Sequence, residues 1–170
     1  VKLLDIVIDE QEPNKIAQKA YNIITDKKKP MLFDLQYASN LSIGNFQDDL
    51  VQGDDSDIYI EAVKEDIDIK HQVWNQVQQI AKNSAIFATN TSGIPIEGIA
   101  KAFDQQARSR FLGLHFFNPP RIMKLAEIIP NQETSSEIIT QVQRFAEDVL
   151  GKGVVIANDV PGFVANRVGT

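Results

Sequence analysis

Two residues able to handle a proton together, His115 and Glu127, stand on either side of a proline turn. The segment reads Gly113-Leu-His-Phe-Phe-Asn-Pro-Pro-Arg-Ile-Met-Lys-Leu-Ala-Glu127-Ile-Ile. Short apolar runs flank Pro119-Pro120-Arg121, the pattern of two antiparallel strands. A hairpin centred near Arg121 sets residue 115 opposite residue 127, with Cβ atoms about 5 Å apart. The carboxylate then accepts from one ring nitrogen and orients the imidazole. The other nitrogen is left to take a proton, which is general-base chemistry. Blander readings stand beside this one. A histidine in an apolar strand can be a satisfied core residue, and a glutamate between Ala126 and Ile128 can be the solvent-facing member of an alternating strand.

The elements that must position this pair are read from periodicity. Strands are expected at Val1–Ile6 (a buried-strand pattern), Leu41–Ile43, Asp57–Val63, Ala85–Thr89, Phe111–Phe116, Met123–Ile129 and Val154–Ala157. Helices are expected at Asn14–Thr25, at Asp66–Lys82 with Ile69, Val73, Val77 and Ile80 on one face, at Ile96–Phe103 and at Ser135–Leu150. Ser135 or Ser136 serves the last as N-cap, and Gly151 sits where a C-terminal glycine belongs. This alternation implies an α/β fold with a mostly parallel sheet. Such sheets bind ligands beyond the carboxyl ends of their strands. The residues there are Asp5; Ala62, Val63 and Glu65; Asn90, Thr91 and Ser92; and His115 and Asn118.

Composition narrows the class. A chain of 170 residues, 43% hydrophobic, is most simply one globular domain. No apolar run approaches the roughly 18 residues that span a bilayer, so no membrane partner is expected. The start lacks the order of a signal peptide. With no cysteine, disulfides and thiolate metal sites are excluded, no metal is expected, and a cytoplasmic location fits. A net charge of −6 argues against nucleic acid as partner, while local amides and lysines still allow an anionic ligand.

Five runs carry a resemblance: Ile60-Glu-Ala-Val-Lys-Glu65, Ala88-Thr-Asn-Thr-Ser-Gly93, Gly113-Leu-His-Phe-Phe-Asn-Pro119, Met123-Lys-Leu-Ala-Glu127 and Asp159-Val-Pro-Gly-Phe-Val-Ala-Asn-Arg167. In order and approximate spacing, over about two-thirds of the chain, they resemble the L-3-hydroxyacyl-CoA dehydrogenase family. The resemblance implies NAD-dependent oxidation of an L-3-hydroxyacyl-CoA to the 3-oxoacyl-CoA, as in fatty-acid β-oxidation. It implies His115 as the base, Glu127 as its orienting partner, Ser92 at the substrate hydroxyl and near the nicotinamide, and Asn166 on the substrate oxygen. It also implies Asp5 on the adenosine ribose, with Ala62, Val63, Glu65, Lys70, Ser92 and Asn118 around the nicotinamide end. Acyl-CoA is the implied partner, and the whole protein is expected to be a homodimer. Two alternatives remain: a non-catalytic NAD- or CoA-binding relative of the same fold, and a Rossmann dehydrogenase of another small hydroxy substrate.

The resemblance also defines departures. The family opens with a strand and a Gly-x-Gly-x-x-Gly loop that holds pyrophosphate at a helix N-terminus. None of the nine glycines here forms that run, and Val1 stands at what corresponds to the family's second strand. The expectation is therefore a Rossmann-like, mostly parallel sheet with an antiparallel pair near its C-terminal side, lacking the family's first strand. Residues 1–160 form a partial NAD-binding domain, and residues 161–170 begin the connection to a helical C-terminal domain. Lys27, Lys28 and Lys29 either hold CoA phosphates or form a solvated basic turn.

Overall fold

Alternating strand and helix patterns become two separate sheets. The computed structural model describes residues 1–29, 31–51 and 55–164. Its two units are Val1–Asp54 and Asp55–Thr170.

In the first unit, β1 (Lys2–Asp5) pairs in parallel with β2 (Ser42–Asn45), so Asp5 and Asn45 end the ladder side by side. Helix α1 (Lys15–Ile24) connects them and buries Ala17. Asn14 holds the N-cap position but caps nothing, because its Oδ1 accepts from Asn45 Nδ2 at 2.8 Å. A 3₁₀ turn at Leu35–Asn40, unmarked in the sequence pattern, starts where Asp34 accepts from the Gln36 amide. The buried strand expected at Val1–Ile6 is not buried. Val1 and Ile6 are exposed and Leu3 and Leu4 half-covered, since a two-stranded ladder with one helix beside it has few atoms to cover it.

The second unit carries five strands in the spatial order β3 (Ile58–Glu61), β4 (Ile86–Thr89), β5 (Phe111–Phe116), β6 (Leu125–Pro130) and β7 (Gly153–Ile156). All neighbours are parallel except β5 and β6. Helices α2 (Ile67–Ile80), α3 (Ile96–Ala100) and α4 (Gln105–Arg108) precede β5. Helix α5 (Ser136–Arg144) runs on into a π-helical turn, Phe145–Val149, before β7. Ser135 is the N-cap, accepting from the Ile138 amide at 3.3 Å, and Gly151 at φ +64° takes the left-handed position past the helix end. Among the described residues no helix is long and apolar enough to cross a membrane.

Strand parity assigns the two faces of this sheet. Ala88, Leu112, Leu114 and Ile128 turn one way and pack with Ile138 and Val142 of α5. The residues between them, including Glu61, Thr89, His115 and Glu127, turn the other way. That second face also holds an aromatic cluster of Trp74, Phe87, Phe103 and Phe111, with ring centroids as close as 4.7 Å. Gly113 lies on it too. A Cβ there would meet Ile96 Cδ1 at 2.8 Å and Ile129 Cβ at 3.1 Å, so glycine is what lets α3 approach β5.

Helix α2 corrects the expected face. Its buried residues are Lys70, Trp74 and Val77, while Ile69, Val73 and Ile80 are only half-buried. The helical period holds and the stripe is displaced toward Lys70 and Trp74, because an ion pair lets the lysine be buried there.

Candidate functional site

The hairpin puts the proton-handling pair in contact. His115 lies directly across from Glu127 in the ladder, and His115 Nδ1 is 2.7 Å from Glu127 Oε2. A carboxylate can only accept, so Nδ1–H donates and the tautomer is fixed. Nε2 makes no hydrogen bond among the described residues. The His115 side chain is 7% exposed and that of Glu127 wholly buried. The other carboxylate oxygen, Oε1, accepts from the Val164 amide at 2.9 Å. Two rings confine the imidazole, Phe117 at 4.6 Å and Phe163 at 5.8 Å.

Local chemistry holds each wall of this arrangement. The hairpin turn closes with the Ile122 and Met123 amides donating to the Pro119 carbonyl. The Lys152 ammonium donates to the carbonyls of Pro120 and Met123, tying the turn to the start of β7. Phe163 adopts φ +46°, which L side chains rarely take, and its own ring is buried. Upstream, Asp159 accepts from the Ile96 and Glu97 amides at 2.8 and 2.9 Å, pinning that segment to the N-terminus of α3.

A second polar cluster lies at the ends of β3 and β4. Glu61 and Thr89 are cross-strand partners, and Thr89 Oγ1 donates to Glu61 Oε2 at 2.7 Å. Glu61 Oε1 accepts from Lys70 Nζ at 2.8 Å and from the Val63 amide at 2.7 Å. Lys70 Nζ is also 3.4 Å from Glu65 Oε2. Glu65 Oε1 receives the Thr91 hydroxyl and the amides of Ser92, Gly93 and Ile94 at 3.2, 3.0 and 3.3 Å. Partial burial opposes ionisation of Glu65. The Thr91 hydroxyl, the Gly93 amide, the Lys70 charge and the Ile94 amide outweigh it, and they hold the carboxyl below its ordinary value. Asn90 Oδ1 accepts from the Phe116 amide at 2.9 Å, joining this loop to the end of β5 beside His115.

The expected site residues distribute as follows. His115 and Glu127 meet. Ser92, Ala62 and Asn118 are exposed at strand ends, Val63 is half-buried, and Glu65 is engaged by the loop after β4. Lys70, expected to face a ligand, is 1% exposed, and its ammonium is engaged by Glu61 and Glu65. Asp5 ends β1 in the first unit, and Asn166 lies outside the described residues. Lys27, Lys28 and Lys29 are exposed after α1. The sequence reading missed Glu61, Thr89 and the Val164 amide. The register between distant strands that puts Glu61 and Thr89 on the face of His115 is not marked in the sequence, and neither is a backbone amide.

The residues fit parts of a dinucleotide by their chemistry. In the first unit, Asp5 presents a carboxylate at a strand end, steadied by the Ile6 amide at 2.7 Å, which suits vicinal ribose hydroxyls. In the second unit, the exposed ends of β3 and β4 suit the nicotinamide. No Gly-x-Gly-x-x-Gly run supplies amides to a pyrophosphate.

Comparison with known proteins adds three findings. Residues 1–160 match the family described as the 3-hydroxyacyl-CoA dehydrogenase NAD-binding domain. A probable 3-hydroxyacyl-CoA dehydrogenase of Deinococcus radiodurans is 42% identical over 170 residues, and a putative fatty acid oxidation complex trifunctional enzyme of Rickettsia felis is 41% identical over 170. These alignments cover 99% of the chain but 49% and 24% of the two relatives, so the chain spans about half the length of the first and about a quarter of the second. The crystal structure of the (S)-3-hydroxybutyryl-CoA dehydrogenase of Ralstonia eutropha superimposes with a TM-score of 0.76 at 30% identity, covering 99% of the chain and 58% of that structure.

Proposed function

This chain belongs to the 3-hydroxyacyl-CoA dehydrogenase NAD-binding domain family, and from that premise we propose that its protein oxidises an L-3-hydroxyacyl-CoA to the 3-oxoacyl-CoA. The observation that carries the proposal is the 2.7 Å contact of His115 Nδ1 with Glu127, with Nε2 making no hydrogen bond among the described residues. His115 Nε2 takes the proton of the substrate's 3-hydroxyl. Glu127 keeps Nδ1–H in place and balances the imidazolium that forms. Ser92, exposed after β4, orients the same hydroxyl, and Asn166 donates to the oxygen as it becomes a ketone. NAD⁺, when bound, supplies the hydride acceptor for the carbinol carbon. Asp5 holds its ribose hydroxyls, while Ala62, Val63, Glu65 and Asn118 flank the nicotinamide end.

Residues 1–160, which match the family model, form the cofactor part of this enzyme. We place the protein in the cytoplasm as a homodimer, with the fatty acyl-CoA as its partner. The buried, oriented dyad favours turnover over a binding role, because a binder has no use for such a base. The test is spectrophotometric. Full-length protein with a 3-hydroxyacyl-CoA and NAD⁺ should produce NADH, and plain 3-hydroxy acids should not substitute. Equal rates with both substrates would refute the acyl-CoA assignment.

A further inference from the structure

A buried carboxylate sits at the end of β3. The Glu61 side chain is 2% exposed and that of Lys70 is 1% exposed, so this ion pair is shut off from solvent. Buried pairs of this kind add little to stability and often fix one arrangement among several. Here the arrangement has a direction. Glu61 accepts from Thr89 on the next strand and from the Val63 amide, which leaves its carboxylate no freedom to turn. It thereby fixes the Lys70 ammonium. Lys70 faces Glu65 Oε2 at 3.4 Å, and the Glu65 side chain is 42% exposed. Without that cation, a half-exposed glutamate would sample several rotamers. With it, Oε1 stays where four donors of the Thr91–Ile94 turn converge on one atom. That turn carries Ser92.

We propose that Glu61 is a positioning residue for the dehydrogenation: with Thr89 and Lys70 it forms a buried anchor that sets Glu65, and through Glu65 it sets the turn presenting the Ser92 hydroxyl. Lys70 then acts on the turn through Glu65. The inference rests on the reading of Ser92 as a substrate contact. Its structural half, anchor to turn, stands apart from that reading.

The test uses the full-length protein. Glu61→Gln keeps the shape and removes the charge. Hydrogen exchange of the Ser92, Gly93 and Ile94 amides should accelerate in this variant, while amides of α5 keep their protection. Steady-state kinetics should show kcat lowered roughly ten- to a hundredfold, the scale of a misplaced contact. The effect should largely vanish in a Glu65→Gln background, because both changes release the same turn. Should Glu61→Gln fold poorly, the double variant Glu61→Gln, Lys70→Met removes both buried charges. It should recover stability yet keep the kcat deficit and the fast exchange. Unchanged exchange at residues 92–94, or independent multiplication of the Glu61 and Glu65 effects, would overturn the anchor. Accelerated exchange with unaltered kcat would overturn the role in catalysis. A wild-type protein inactive on acyl-CoA would instead strike the functional reading, and the exchange result would still decide the anchor.

Discussion

At the scale of single residues, the site depends on one imidazole whose two nitrogens have different tasks. His115→Ala in the full-length protein should lower kcat by about 10²- to 10⁴-fold, the usual worth of a positioned general base. NAD affinity should hold, since no cofactor contact is assigned to the ring. Calorimetry alongside the kinetics separates the two, and near-normal turnover would refute the base. Glu127→Gln should also cut kcat. The amide can still accept from Nδ1–H, but the imidazolium formed in the reaction loses its counter-charge. Wild-type kcat in that variant would reduce Glu127 to a packing residue. This pair was legible in the sequence because proline punctuation fixed the centre of the hairpin, and register follows from the centre. Glu61 was not, since a glutamate at a strand end looks the same whether it is solvated or locked to a buried lysine.

Among the elements, β5 and the loop after β4 carry the geometry. Gly113→Ala should destabilise the protein by about 1–3 kcal/mol, the range for forcing extra volume into a packed interior. Chemical denaturation measures it, and an unchanged midpoint would mean that Ile96 and Ile129 can yield. The loop makes a pH-dependent prediction. Glu65 has its folded-state pKa depressed below its ordinary 4.5, so its contribution is present above that value and is lost as pH falls through the folded one. The stability difference between wild type and Glu65→Gln should therefore shrink on acidification below 4.5. A difference constant with pH would assign the effect to shape and not to charge. Element types were largely readable, from the β5 bounds to Ser135 as N-cap. Helix α4, with four residues, is too short to show a period, and the α2 face was displaced by a lysine that tertiary pairing made tolerable.

For the whole molecule, local periodicity announced one mostly parallel sheet, but pairing between distant strands is not written in any local window. Hence the division into a two-stranded and a five-stranded sheet was not legible. The absence of a Gly-x-Gly-x-x-Gly run was legible, and it has a measurable effect. Residues 1–170 alone should bind NAD more weakly than a long relative by several kcal/mol, the scale of a few lost charge-assisted hydrogen bonds to pyrophosphate. Titration calorimetry checks this, and micromolar binding by the isolated chain would overturn it.

Trp74 gives the two units separate optical signatures. It is the sole tryptophan, it is 1% exposed, and it lies in the aromatic cluster of the second unit. Its emission therefore reports the five-stranded unit alone, whereas circular dichroism sums over both. Heating curves from the two probes will superimpose only when the units melt together. Their separation in temperature would read out directly how independently β1–β2 and α1 hold their structure.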